Sequence, residues 1–204
     1  MPAQLTQERI IGTAIELADR DGFEAATLRR IAGELGVHVT SLYNHVATRE
    51  AVTDGIVERL IEEAGLPVEP VGWEQWVRSF VERIGDVAAR HPGAFAALQR
   101  RPVQGPRANA SFEVALAAFA KAGLAPADAY GAVKATAFVA LSVGAEKSLA
   151  STGVEAETHV DELPPEDFPQ LHALAGISSE AAAWSFTLEM LVSGLRAQIR
   201  RRKA

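Results

Sequence analysis

The sequence TLRRIAGELGVHVTSLYNHVATREAV, residues 27–52, decides the fold of the N-terminal part of this chain. In it, two short segments with apolar residues at helical spacing are separated by Gly36 and Val37. Gly36 can adopt the left-handed backbone conformation of a sharp turn, and Val37 can fill the angle between two helices. The pattern predicts a helix-turn-helix whose second helix runs from about Val39 to Val46.

Burial of the apolar side chains in this pair leaves a polar face on the second helix. The inward residues are Ile31, Leu35, Leu42 and Val46, and the outward residues are Val39, Thr40, Ser41, Tyr43, Asn44 and His45. A surface that reads base edges needs small or hydrogen-bonding side chains, and a helix of about eight residues, ~12 Å long, matches the width of the major groove. Arg29, Arg30 and Arg49 lie at helix starts, where backbone N–H and guanidinium groups together bind phosphate. The segment therefore predicts a DNA-binding surface.

Over residues 6–62 the chain resembles the TetR family of tetracycline-repressor-like regulators. The resemblance rests on ADRDGFEAATLRRIAGELGV, on SLYNHVATREAV and on the positions of Ala32, Gly36 and Tyr43. It implies phosphate contacts from Thr27, Tyr43 and Arg49, base contacts from Arg29, Val39, Thr40 and Asn44, and a base-edge or phosphate contact from His45. Many members have Ser-Pro where this chain has His38-Val39, and lysine is commoner than arginine at position 49.

The composition is that of a helical globular protein without cysteine chemistry. Of the 204 residues, 48% are hydrophobic, 23% are charged and none is cysteine, which excludes disulfides, thiolate catalysis, zinc fingers and iron–sulfur ligation. No apolar run approaches the ~20 residues of a bilayer span and the N-terminus lacks the apolar core of a signal peptide, so we expect a cytoplasmic protein. The net charge of −6 weighs against DNA binding unless basic side chains cluster locally, because lysine and arginine supply most of the affinity for phosphate.

The helical pattern divides this all-α chain into three parts. Residues 1–50 are predicted to form a three-helix helix-turn-helix domain, residues 51–72 a connecting helix and linker, and residues 73–204 a helical bundle for effector binding and dimerisation. Threonine caps are expected at Thr6, Thr27 and Thr48, long helices over 126–151 and 179–202, and a break at His91-Pro92-Gly93. Residues 152–176 are expected to be irregular, with room for a short helix at Gln170–Ala175.

Aromatic residues of the third part are candidates for an effector pocket. An apolar cavity with a few polar groups is the usual form of a small-molecule site. The candidate lining residues are Trp76, Phe80, Phe112, Phe119, Phe138 and Ser142, and further polarity could come from Lys134, Thr136 and Glu146. The alternative, which stays open for each residue, is an ordinary core or surface position.

The last helix carries an apolar stripe that predicts a dimer interface. The stripe consists of Trp184, Leu188, Leu191, Leu195 and Ile199, with Val192 beside it. The long helix over 126–151 adds Ala135, Ala140 and Gly144, small residues that permit close helix approach. Pairing of both helices with their symmetry mates would give a two-fold four-helix interface. In the alternative, both stripes serve only the core of one subunit.

No residue pattern in the chain predicts catalysis, a metal or a cofactor. His159, Asp161, Glu162 and His172 share one irregular region but match no compact ligand spacing. The segment ALSVG at 140–144 imitates a nucleophile elbow but lies in a helix, where that motif does not function.

The sequence therefore predicts a ligand-responsive transcriptional regulator. In this interpretation a homodimeric repressor binds a palindromic operator and a small-molecule effector releases it, without a membrane or a cofactor. One alternative is an all-helical ligand-carrying or enzymatic protein whose N-terminal tri-helix is structural. Another is a DNA-binding scaffold without an effector.

Overall fold

A computed structural model describes residues 4–103, 105–153, 162–174 and 180–203, and within these ranges the chain forms helices and no strand. The all-α prediction is confirmed. The helices are α1 Gln7–Asp21, α2 Leu28–Glu34, α3 Val39–Leu42, α4 Arg49–Ala64, α5 Trp73–Arg90, α6 Ala96–Arg100, α7 Pro106–Ala122, α8 Pro126–Ser151, α9 Pro169–Ala173 and α10 Glu180–Lys203.

The three predicted threonine caps are present. The Oγ1 atoms of Thr6, Thr27 and Thr48 accept hydrogen bonds from backbone N–H groups three residues on, at 3.2, 3.3 and 3.1 Å. Each cap satisfies a backbone donor that the first turn of a helix leaves without a partner, a contribution of about 1 kcal/mol. The caps therefore fix where α1, α2 and α4 begin.

Helices α1 to α3, which we call the head, enclose a small apolar core with α4. Its most deeply buried members include Ile10, Leu17, Ile31, Leu42, Val46, Val52 and Ile56. Gly36 has a φ of 65°, in the left-handed region, and Val37 packs against this core from a half-buried position. The turn chemistry inferred from the sequence is therefore the turn that forms.

Helix α3 is shorter than the prediction of a helix from Val39 to Val46. It ends at Leu42, and residues 43–45 continue as a turn in which the Leu42 carbonyl accepts hydrogen bonds from the N–H groups of His45 and Val46 at 2.9 and 2.8 Å. The N-cap residue His38 makes no capping bond, and asparagine and histidine have modest helix propensity. A single turn of helix therefore carries the outward face.

Helices α5 to α10 form a bundle centred on α5 and α8, which pack along each other, with α7 and α10 also against α8. The long helices over 126–151 and 179–202 agree with the prediction to within one residue, and the chain leaves α5 at His91 as expected. The head, α4 and this bundle share one continuous apolar core.

The head and the bundle meet at the end of α1. Asp19 Oδ1 accepts hydrogen bonds from the N–H groups of Gly93 and Ala94 at 3.0 and 2.9 Å. A Cβ atom at Gly93 would overlap the backbone of Ala18, so only glycine allows this approach. His91 lies between two carboxylates, with Nδ1 at 2.8 Å from Asp19 and Nε2 at 2.9 Å from Glu63 of α4. These contacts fix the orientation of the head on the bundle.

Candidate DNA-binding surface and helical bundle

The polar residues predicted to face DNA lie on the surface of the head. Thr40, Asn44 and His45 are exposed, and 52% of Tyr43 is accessible, so this ring is not part of the core. Val39 and Ser41 are half-buried on the same short helix, and so is the cap residue Thr27. The structure thus brings the predicted contact residues of α3 and its following turn together on one solvent-facing segment.

A side-chain contact orders the beginning of this segment. The ring Nδ1 of His38 lies 2.8 Å from the hydroxyl Oγ1 of Thr40, within hydrogen-bonding distance. This histidine occupies the N-cap position without capping the helix. Its ring instead restrains the Thr40 hydroxyl, a candidate group for base contact.

Arginines of the head and of the start of α4 differ in their ionic partners. Arg29 is exposed and forms no ion pair with any residue in the described ranges. Arg30 donates a hydrogen bond to Asp21, and this contact, opposed by partial burial, lowers the pKa of the Asp21 carboxyl. Arg49, the first residue of α4, donates to Glu24. Acidic and basic groups of the head thus neutralise each other locally.

Three of the aromatic candidates for the effector pocket, Trp76, Phe80 and Phe112, lie close together inside the bundle. The ring of Trp76 stacks on Phe80 with centroids 4.8 Å apart, and Phe112 lies 6.0 Å from Phe80 and 6.5 Å from Trp76. Phe119 stacks on Trp73 at 5.8 Å. The rings of Trp76, Phe80 and Phe112 pack against each other, so a ligand between them would have to separate them.

The polar partner of this cluster is Ser111, a residue that the sequence analysis missed. Trp76 Nε1 donates a hydrogen bond to Ser111 Oγ at 3.1 Å, and both residues are fully buried. Ser111 lies on the apolar side of α7, one position before Phe112. A serine at a core position of an amphipathic helix was the available signal, because a buried hydroxyl requires a partner.

The polar and aromatic candidates on α8 do not join the cluster. Phe138 is 63% exposed, with Lys134 Nζ 4.9 Å from its ring centre, and Ser142 is also exposed. Exposed Glu146 accepts a hydrogen bond from Trp184 Nε1 at 2.5 Å. Thr136 is buried, and its hydroxyl donates to the Ala132 carbonyl of the same helix. The helical period places these residues on different faces of α8.

The predicted stripe of α10 faces the subunit's own core at its C-terminal end. Leu195 and Ile199 are buried, whereas Trp184, Leu188 and Leu191 are half-buried and pack against the core. A second apolar face of α10 is exposed, with Phe186 and Met190 at 68% and 59% accessibility, and α8 exposes Tyr130, Phe138 and Leu149. Apolar periodicity identified the helix but could not tell which of its two faces packs internally.

A surface groove of about 760 Å³ opens beside the aromatic cluster. Trp73 forms part of its wall, together with linker residues 70–72 and apolar residues of α7 such as Val114 and Ala118. Trp73 also stacks on Phe119, so one wall of the groove is in contact with a buried ring of the bundle.

Two further predictions concern metals and membranes. Of the four metal-capable residues in the irregular region, His159 and Asp161 lie outside the described residues. His172 donates from Nε2 to the Leu163 carbonyl at 2.8 Å. No helix in the described ranges combines the length and apolar character that a membrane span requires.

Comparison with known proteins identifies the head. Residues 10–54 match the sequence profile described as bacterial regulatory proteins, tetR family. An HTH-type transcriptional regulator of Saccharopolyspora erythraea is 40% identical over 144 residues, which are 70% of this chain and 61% of that protein. The tetracycline repressor protein class D of Escherichia coli is 25% identical over 205 residues, 97% of this chain and 92% of that protein. This chain thus spans less than two thirds of the first of these relatives.

The solved structure of ActR from Streptomyces coelicolor, in complex with actinorhodin, extends the similarity over the whole chain. Its TM-score is 0.81 at 26% identity, and the match covers 97% of this chain and 99% of that one. The chain belongs to the TetR family. All the residues expected to contact DNA, from Thr27 to Arg49, lie within the matched TetR segment.

Proposed function

We propose that this TetR-family protein is a homodimeric transcriptional repressor that binds a near-palindromic operator and that a small-molecule effector releases. The exposed polar set of Thr40, Tyr43, Asn44 and His45, inside the segment that matches the family, carries the proposal. These exposed side chains can hydrogen-bond base edges and phosphates. The names of the relatives as transcription regulators support this function over an enzymatic one.

The exposed apolar faces of α8 and α10 support dimerisation. At 3.6 residues per turn, Tyr130, Phe138 and Leu149 fall within about 100° of arc on α8. Large exposed apolar patches mark interaction sites, and Phe186 and Met190 supply the matching patch on α10. Two-fold pairing of both helices buries these five side chains in a four-helix interface. It also presents two heads to half-sites about 34–36 Å apart.

The aromatic cluster supports an apolar or aromatic effector. Trp76, Phe80 and Phe112 offer ring faces for stacking, and a groove lined by Trp73 opens on the same bundle. Because the rings now contact one another, an effector binds a state in which they are apart and shifts the population toward it. The complex of ActR, a structural neighbour, with actinorhodin supports a ligand-binding function.

Selection of duplexes from a random pool with the full-length protein tests DNA binding. We expect one enriched near-palindrome. Asn44→Ala changes the preference at particular bases by about 1–3 kcal/mol, whereas Tyr43→Ala weakens binding to all sequences alike. Asn109→Ala, an exposed asparagine on α7, is the matched control and leaves binding unchanged. A pool without an enriched sequence contradicts the repressor function.

The direct contacts between the aromatic rings favour a second candidate, a DNA-binding scaffold without an effector. Thermal unfolding in the presence of a panel of aromatic and amphipathic compounds separates the two. A compound that stabilises the wild-type protein and releases operator DNA, with a smaller effect on Phe112→Ala, supports the repressor. A panel without any stabilising compound favours the scaffold.

A further inference from the structure

The carboxylate of Glu24 connects the head, helix α4 and the bundle. Glu24 lies in a short 3₁₀ turn, Phe23–Ala25, between α1 and α2. Its Oε2 accepts a hydrogen bond from Arg49 at the start of α4, and its Oε1 accepts one from Arg100 at the end of α6. The Arg100 guanidinium also lies over the ring of Phe23, 4.6 Å from its centre. A single side chain therefore joins a candidate phosphate ligand to the bundle.

Arg101, next to Arg100 in the chain, joins the end of α6 to α4. Arg101 donates from Nε and Nη2 to the two carboxylate oxygens of Asp54, at 2.8 and 3.0 Å. This two-point contact holds Arg100 beside Glu24. The hydrogen bonds from Arg49 and then Arg100 lower the pKa of Glu24 against a small opposing effect of burial, so the carboxylate is charged at neutral pH.

We propose that Glu24 is a positioning residue that competes with DNA phosphate for Arg49, and that Arg100 sets the strength of this competition. The inference rests on the proposed repressor function. When Arg100 shares the carboxylate, part of the charge of Glu24 is neutralised, and Arg49 leaves it more readily for a phosphate. Without Arg100, Glu24 holds Arg49 alone, and binding to every DNA sequence weakens.

The expected effects are those of exposed ion pairs, which are modest. Glu24→Gln removes the competitor and is expected to tighten operator binding by about two- to fivefold. Arg100→Gln is expected to weaken binding by a similar factor. In the Arg49→Gln background Glu24→Gln has no effect, because the competition needs both partners. In the Glu24→Gln background Arg100→Gln has little effect for the same reason.

Fluorescence anisotropy with the selected operator, for the full-length protein over a series of salt concentrations, measures these factors. Arg49→Gln reduces the slope of log K against log salt by about 0.9, the value for one lost phosphate contact. Glu34→Gln is the matched control, since it removes one carboxylate of the head whose partner is Arg20. It is expected to leave operator affinity unchanged. Arg100→Gln retains Glu24 and keeps the test valid if Glu24→Gln fails to fold.

The outcomes separate this inference from the proposed function. Wild-type protein that binds no duplex overturns both. Wild-type protein that binds its operator, together with a Glu24→Gln variant of equal affinity, overturns the inference alone. An equal gain from Glu24→Gln in the Arg49→Gln background also overturns it, because the gain would then come from net charge and not from Arg49.

Discussion

Ser111→Ala is expected to lower the free energy of unfolding by about 1 to 3 kcal/mol, although it removes a single oxygen atom. Ser111 and Trp76 are both 0% exposed, and the indole N–H has the serine hydroxyl as its hydrogen-bond partner at 3.1 Å. Without that hydroxyl the N–H remains buried and unpaired, which costs its full desolvation. For a chain of this size the loss corresponds to a melting temperature lower by about 2 to 12 °C.

Urea unfolding at one fixed protein concentration measures this loss, because dimer stability depends on concentration. Thr136→Val is the matched control. It removes another fully buried hydroxyl, but one that donates to a carbonyl of its own helix and leaves no group unpaired, so the expected change is below about 1 kcal/mol. In the Trp76→Phe background Ser111→Ala should cost little. If Ser111→Ala is as stable as wild type, or costs the same in both backgrounds, the reasoning is refuted.

Three more predictions follow from the surface of the protein. Met190→Glu should give folded monomers in sedimentation experiments, because Met190 is exposed on the proposed interface. Leu195→Glu should instead unfold the subunit, because that position is buried. A Met190→Glu variant that remains dimeric contradicts the interface. Although burial acts to raise the pKa of Glu63, hydrogen bonds from Arg59, His91 and Arg90 lower it, so its stabilisation is full at pH 7 and is lost as pH falls below about 4 through the folded-state value. Urea midpoints at pH 7 and about pH 3 should therefore differ less for Glu63→Gln than for wild type. His38→Ala should weaken operator binding about two- to fivefold, mainly at the base that Thr40 contacts; equal losses on every single-base operator variant would contradict this.

The parts of the fold that local sequence determines could be predicted. The caps at Thr6, Thr27 and Thr48 depend on an oxygen and an N–H group three residues apart, and the turn at Gly36 depends on one backbone conformation. The end of α3 was less predictable. Residues 43–45 leave the helix while the N–H groups of His45 and Val46 stay hydrogen-bonded to the Leu42 carbonyl, a balance that apolar periodicity does not record.

The parts that depend on distant residues could not be predicted. Trp76 was identified as a pocket candidate, but its partner Ser111 lies 35 residues away and belongs to another helix. The contact between Glu24 and Arg100 spans 76 residues. On α10, both Leu195 and Met190 are apolar, and only the packing of the bundle decides which of them is buried. Periodicity gives the faces of a helix, and tertiary packing chooses between them.

The acidity of the chain can be reconciled with DNA binding by the way its charges are paired. Asp21 and Glu24 each accept hydrogen bonds from arginines, so their negative charges are largely cancelled locally. Salt screens what remains over a Debye length of about 10 Å, so these carboxylates repel a bound duplex only weakly. Arg29 stays free of ion pairs in the described ranges, and Arg49 becomes available only when Glu24 releases it. The proposed repressor therefore has few phosphate ligands per head. Its affinity must therefore depend on base contacts and on the presence of two heads in one dimer. The dimer interface is then as necessary for operator binding as the recognition surface itself.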